Sequence, residues 1–334
     1  MSRWSLWASL CGVVCVGRAG DKLRVVGLKW RGRRERQSAR LLPSTSWRKL
    51  LVVLGLVACC AGAGASAARP SFLATSAVLA TSDSTSSSTT TLFDDEFNGP
   101  AGSAPSSTHW TVFGGSNAYR IGVECMVNDR KHIYQDGAGH LVETATYNPS
   151  GVPCKNGSGP YESGGMDTGE WPSPKFSFQY GTITARIKVP CKSGYGLWPS
   201  WWMTGPNYPK GGEIDMLEIL ANSYHGYNAK NTLWGPTSSG SLWKLTKNNV
   251  SSTLWCNAFH VYGVTWSYRQ VQYTLDGVPT RTITPSNMQS GWIWPFDKNK
   301  ERPLLALVVG QSGGTPQPSS FPQSMLIDWV RVTR

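Results

Sequence analysis

Gly211-Gly212-Glu213-Ile214-Asp215-Met216-Leu217-Glu218 sets three carboxylates into six residues, among apolar side chains and straight after two glycines. On a regular strand, side chains alternate between faces. Glu213 and Asp215 then share one face, while Glu218 points to the other. One β-bulge between Asp215 and Glu218 adds a residue and turns Glu218 back to the first face. Ile214 and part of the Met216-Leu217 pair lie behind the row. The stretch therefore predicts a bulged strand with one acidic and one apolar face.

The surrounding chain has the same texture. From Leu92 onward, short apolar runs are broken by Gly, Pro, Asn and Asp. Thr182 to Val189 alternates as a half-buried strand should. Val261 to Trp266, Val271 to Leu275 and Met325 to Val332 also read as strands, and Asp276-Gly277 marks a hairpin turn. No long segment has a period of 3.6, and there is no internal repeat. Many short strands with regular turns predict an all-β sandwich or barrel.

Three acids in one row do not titrate independently, because like charges raise one another's pKa. That split suits glycoside hydrolysis, which needs one ionised and one protonated carboxyl. In the retaining version the two stand about 5–5.5 Å apart. With a bulge between them, Glu213 and Glu218 have Cα atoms roughly 13 Å apart, a gap that two long side chains leaning together on a concave face can close. Asp215 sits between them, able to modulate the nucleophile. An exposed acidic strand, or a cation site made from the same oxygens, is the alternative. Gly196-Leu197-Trp198-Pro199-Ser200-Trp201-Trp202-Met203 comes just before the acids. Indole rings stack on the flat C–H faces of sugars. Alternation puts Trp198 and Trp202 on one face and Trp201 on the other, so at least one of the three belongs to a core.

Together these residues resemble glycoside hydrolase family 16, the laminarinase-like enzymes. The match to that family's Glu-x-Asp-x-x-Glu pattern is complete at Glu213, Asp215 and Glu218. The resemblance runs from Phe93 to Val332. It includes Phe93-Asp94-Asp95-Glu96-Phe97, Gly137-Ala138-Gly139-His140-Leu141-Val142, Lys175 to Gly181 and Asp328-Trp329-Val330-Arg331-Val332. It implies a curved antiparallel β-sandwich, a concanavalin-like jelly roll with a concave substrate cleft. It also implies retaining hydrolysis of β-glucan, most simply β-1,3-glucan, with Glu213 as nucleophile, Glu218 as acid/base and Asp215 as assistant. No organic cofactor is implied. A structural calcium is, with Asp328, Glu96 and Gly139 at the matching positions.

Three places depart from the family pattern. Trp234 stands where a His is common, Gly122-Val123-Glu124-Cys125-Met126 keeps only the Glu of a subsite stretch, and Ala306 replaces a frequent Asn. Tyr119, Arg120 and Glu124 are expected to reach sugar hydroxyls, and Trp234 to line the cleft. Of Trp292 and Trp294, in a cleft-edge loop, one is expected to touch sugar. His225 reads as an exposed loop residue and His260 as a strand residue. The matching acids leave a transglycosylase open as an alternative, while a non-catalytic glucan-recognition protein would be expected to lose one of them. Galactan-cleaving relatives share the bulged strand.

Composition divides the chain of 334 residues and net charge +12 into three parts. Residues 1–67 carry 12 Lys+Arg against 2 Asp+Glu, so nearly all the excess lies there. The near-neutral remainder shows no basic cluster, which argues against a nucleic-acid partner. A polysaccharide substrate and a monomeric state are expected. Arg48-Lys49, the apolar run Leu50 to Cys60 and small residues to Ala67 have the order of a secretory signal. Leu50 to Ala68, 19 residues without a charge, is also near the length of a membrane anchor. A start placed too far upstream and a genuine long leader remain the other readings. In each case the domain is exported, and secreted or anchored outside. Residues 68–91 read as a Ser/Thr-rich linker, and 92–334 as the catalytic domain. Four of the eight cysteines, Cys125, Cys154, Cys191 and Cys256, lie in the domain. In an exported chain they predict two disulfides out of three connectivities, with Cys125–Cys154 and Cys191–Cys256 favoured. A zinc site is disfavoured for these cysteines, which have no CxxC spacing and no His close to a Cys pair.

Overall fold

The computed structural model describes residues 89–114, 120–155, 157–190, 196–220, 228–250 and 258–334. The leader, and the linker up to residue 88, lie outside them. The strands are β1 (Thr91–Asp95), β2 (Thr111–Val112), β3 (Cys125–Met126), β4 (Ile133–Gln135), β5 (Leu141–Cys154) and β6 (Gly157–Ser163). Next come β7 (Gly165–Asp167), β8 (Gly181–Lys188), β9 (Leu197–Thr204), β10 (Glu213–Ile219), β11 (Asn228–Pro236) and β12 (Leu242–Val250). The last are β13 (His260–Ser267), β14 (Gln270–Leu275), β15 (Val278–Ile283), β16 (Arg302–Val309) and β17 (Gln323–Thr333). Among the described residues there is no α-helix.

These strands form two open sheets. One has ten strands along the path β15-β14-β13-β8-β17-β5-β6-β3, with β1 and β4 joined to β17 and β5; the other is ordered β12-β11-β10-β9-β16-β7-β2. Every pairing is antiparallel except the short β3–β6 pair. The sandwich expected from the strand texture is therefore what forms. The strands read from alternation are present as β8, β13, β14 and β17. The inward residues of β8, Ile183, Ala185 and Ile187, share one core with Trp201, Met203 and Ile214 from the smaller sheet. The Asp276-Gly277 turn has positive φ at both residues, 51° and 77°, as a two-residue type I′ hairpin requires.

β10 carries the bulge expected between Asp215 and Glu218. Asp215 pairs with Thr232 and Glu218 with Lys230, so three steps on β10 oppose two on β11. Against β9, Asp215 pairs with Trp202 and Leu217 with Trp201, which makes Met216 the extra residue. Met216 and Leu217 are both fully buried; the core takes the whole pair rather than part of it. Of the expected disulfides, Cys125–Cys154 is present, tying β3 to the end of β5. Cys191 and Cys256 lie outside the described residues.

Trp201 is 0% exposed, whereas Trp202 is only half-buried on the opposite face. Trp201→Ala is expected to cost about 3–5 kcal/mol by cavity formation. Trp202→Ala should cost far less, as read from urea unfolding midpoints.

Candidate active site

The smaller sheet presents a cleft where β9, β10 and β16 lie side by side. Its walls include Trp198, Ser200, Trp202, Tyr208, Glu213, Asp215, Glu218 and Val308. Cross-strand register explains the grouping. Glu218 lies beside Ser200 and Asp215 beside Trp202 on β9; Ser200 and Trp198 lie beside Ala306 and Val308 on β16. Phe113, Met126, Leu304, Ala306 and Val308 form a small apolar cluster against which Ile121, Trp198 and Trp202 pack. Ala306, at the position where the family often carries an Asn, is fully buried beneath the cleft, beside Ser200.

The bulge is held by a side chain that sequence reading missed. Asn231 donates through Nδ2 to the carbonyl of Met216 at 2.6 Å. A bulge leaves a backbone group outside the ladder, and Asn231 satisfies it. Thr232 Oγ1 donates to Glu218 Oε2 at 2.6 Å. From the other sheet, the Tyr273 hydroxyl donates to the Thr232 carbonyl at 2.6 Å. The acid row is therefore seated on a connected polar support.

Burial dominates the electrostatics of the row. It raises Glu213 to about 7; Glu218 adds to the rise, while Tyr208 and Asp215 oppose it. Burial, followed by the charges of Glu213 and Glu218, lifts Asp215 well above the carboxylate range. The contact between Glu213 and Asp215 raises Asp215 and lowers Glu213. The proton accordingly rests on Asp215 and the charge on Glu213. Glu218 is raised by burial, against Thr232, Trp198 and the cations Lys230 and Lys244. Within the Glu213–Asp215 pair the charge favours Glu213, and burial favours the protonated form of Glu218, the two roles that double displacement requires.

Trp234 stands directly across from Glu213. Its indole favours the ionised form of Asp215, and Lys244 lies 5.0 Å over its ring. Trp198 and Trp202 line the cleft, and Trp234 stands beside the acid row. Tyr208, Lys230, Asn231 and Thr232 join it without having been foreseen. Tyr208 lies within the Asn207-Tyr208-Pro209 turn, which has no regular period, and the lysine faces the acids only through cross-strand pairing.

Other expected contacts lie elsewhere. Glu124 is not a sugar ligand here: its buried carboxylate accepts the N–H groups of Ile121, Gly122 and Val309, at 3.2, 3.0 and 2.8 Å. Arg120 is drawn to the Ser158 and Val123 carbonyls. Trp292 stacks on Trp243 at 5.0 Å, and Trp294 packs edge-on against Phe296; both cover the core edge instead of the cleft. Small and aromatic residues near a Pro read the same whether they cover a core or a substrate. His260 stands on its strand and contacts Asp276 at 2.8 Å. Tyr119 and His225 lie outside the described residues.

The calcium expectation meets competing partners. Arg186 donates to Asp328. Arg331 donates to Glu96, with its Nε at 2.9 Å. Gly139 adopts a positive φ of 90°. Of the expected ligands only Asp328 would use its carboxylate, so a calcium ion there would compete with Arg186, while Glu96 and Gly139 would offer backbone carbonyls.

Residues 123–331 match the model of the glycosyl hydrolases family 16. The chain belongs to this family. It is 30% identical over 182 residues to a β-glucanase of Rhodothermus marinus, covering 48% of this chain and 59% of that protein. It is 25% identical over 273 residues to glucan endo-1,3-beta-glucosidase A1 of Niallia circulans, covering 72% of this chain and 37% of that one. The chain thus spans less than two thirds of either relative. Among solved structures, an endo-β-1,3-glucanase from Pyrococcus furiosus superposes with a TM-score of 0.60 at 29% identity, covering 73% of this chain and 93% of that one.

Glu124 generates a stability prediction. Its pKa rises from 4.5 to about 7 because burial outweighs its backbone donors. Between those values the folded chain holds a proton that the unfolded chain has lost. Stability therefore falls as pH rises through this window. Glu124→Gln should flatten the dependence by up to about 3 kcal/mol, measured by urea unfolding at pH 5 and pH 7.5.

Proposed function

We propose that this protein is an exported, retaining endo-β-glucanase that hydrolyses β-1,3-glucan. One observation carries the reading: the Met216 bulge brings Glu213, Asp215 and Glu218 into one cleft with Trp198 and Trp202. The printed activities of the family relatives support the substrate class, and the charged–apolar–small order of residues 48–67 supports export.

In this reading a glucan lies along the cleft with sugar faces against the indoles. Glu213, kept ionised by the proton on Asp215, attacks the anomeric carbon. Glu218 gives its proton to the leaving oxygen, and a glycosyl-enzyme forms. Glu218 then takes a proton from water, which displaces Glu213 with overall retention. Retention of all three acids speaks against a purely glucan-binding role. A sugar acceptor in place of water would make the same residues a transglycosylase.

Product sizing separates these outcomes. With a linear β-1,3-glucan, the parent should release short oligosaccharides and Glu213→Gln should release none. Products longer than the donor would mean transglycosylation. Binding without products would sink the hydrolase reading for this polymer.

Turnover needs Glu213 ionised and Glu218 protonated, so its pH profile should be bell-shaped. Lys230 favours the ionised form of Glu218. Lys230→Met removes that cation, raises the Glu218 pKa and should move the alkaline limb of kcat to higher pH. A pH series on both proteins checks the direction.

A further inference from the structure

Away from the cleft, three potential metal ligands converge. Asp129, His132 and Glu162 each offer one donor atom, and these atoms all lie within 4.8 Å of one another. We propose that they form a second site, one that binds a zinc-like divalent cation and braces the β3–β6 region.

The ligands come from two separately anchored segments, the Asp129–His132 turn and β6. Glu162 lies on β6, paired with Cys125 of β3 and with Thr146 of β5. The Val127 N–H donates to the Ser163 carbonyl at 3.0 Å, and Thr144 N–H to the His132 carbonyl at 2.8 Å. The Cys125–Cys154 disulfide closes the same region. Such placement limits the ordering entropy that binding would cost.

His132 is 1% exposed. Its Nε2 contacts Thr146 Oγ1 at 2.9 Å, and its Nδ1 lies 2.8 Å from Asp129 Oδ1. When Nε2–H donates to Thr146, Nδ1 turns a lone pair toward the Asp129 carboxylate, with the Glu162 carboxylate in the same cluster. That is how an outer partner sets the tautomer of a metal-bound imidazole, and a cation is what such lone pairs require. Glu162 supplies an independent observation. It is half-buried, yet no described residue gives it a hydrogen bond or an ion pair.

Donor chemistry selects the cation. One imidazole with two carboxylates suits zinc or a similar borderline ion better than calcium or magnesium. Zinc bonds of about 2.1 Å put tetrahedral donors about 3.4 Å apart. The Asp129–His132 pair, at 2.8 Å, would open by about 0.6 Å, and Glu162 would close by at most about 1.4 Å. Three protein ligands leave the fourth position to water. In the other tautomer, Nδ1–H donates to Asp129 and Thr146 donates to Nε2. That is an ordinary His–Asp pair, which needs no metal.

The test treats the full chain with a chelator, removes the chelator, and titrates zinc against a chromophoric competitor. Thermal melts run in parallel. The proposal expects one equivalent bound with a rise in Tm, abolished in His132→Gln and weakened at least about tenfold in Glu162→Gln. Glu162→Gln changes a half-buried side chain that has no partner among the described residues, so it remains decisive if His132→Gln fails to fold. No binding would overturn the proposal. Binding unaffected by Glu162→Gln would also overturn it, because the zinc would then be held by the catalytic acids or by cysteines elsewhere.

Discussion

One extra residue in β10 is the constraint on which the site depends. Without Met216 as a bulge, strand alternation sends Glu218 into the core. With it, all three acids face the cleft, and Met216 and Leu217 both fill the interior. The bulge leaves a carbonyl outside the ladder, and Asn231 accepts the task of bonding it. Thr232 and Tyr273 extend that support to Glu218 and to the second sheet. Chemistry and packing are therefore served by one irregularity.

Burial then differentiates acids that share a chemistry. Asp215 is the most enclosed of the three and faces both glutamates, so it retains its proton most strongly. Glu213 has Tyr208 and Asp215 to support its charge. Glu218 meets cations from the β11–β12 side. Distinct roles arise because the three carboxyls sit at different depths and beside different neighbours. Glu301 extends the pattern: it is wholly buried and raised well above the carboxylate range by burial and by Glu213. A neutral carboxyl behind the nucleophile adds no competing charge.

The residues that sequence reading misassigned share a physical reason. Glu124 was expected to bind sugar and instead caps three backbone N–H groups. Trp292 was expected at the cleft and instead stacks on Trp243. A buried carboxylate can serve a loop or a ligand, and an indole can cover a core or a sugar. Local sequence carries no sign of which. Asp328 shows a related ambiguity, since an acid that can hold a cation can also hold an arginine.

The sequence by itself determined the sheet class, the bulge and the identity of the acid row, because strand alternation and like-charge crowding are local properties of Glu213 to Glu218. It also determined that Trp198 and Trp202 oppose Trp201, which follows from a period of two. Only the tertiary structure decided that Asn231, Tyr208 and Lys230 serve the acids, and that Glu124, Arg120 and Trp292 do not. Those assignments depend on which strand lies beside β10 and which loop folds over it. Long-range pairing sets both, and no local pattern in the chain encodes them.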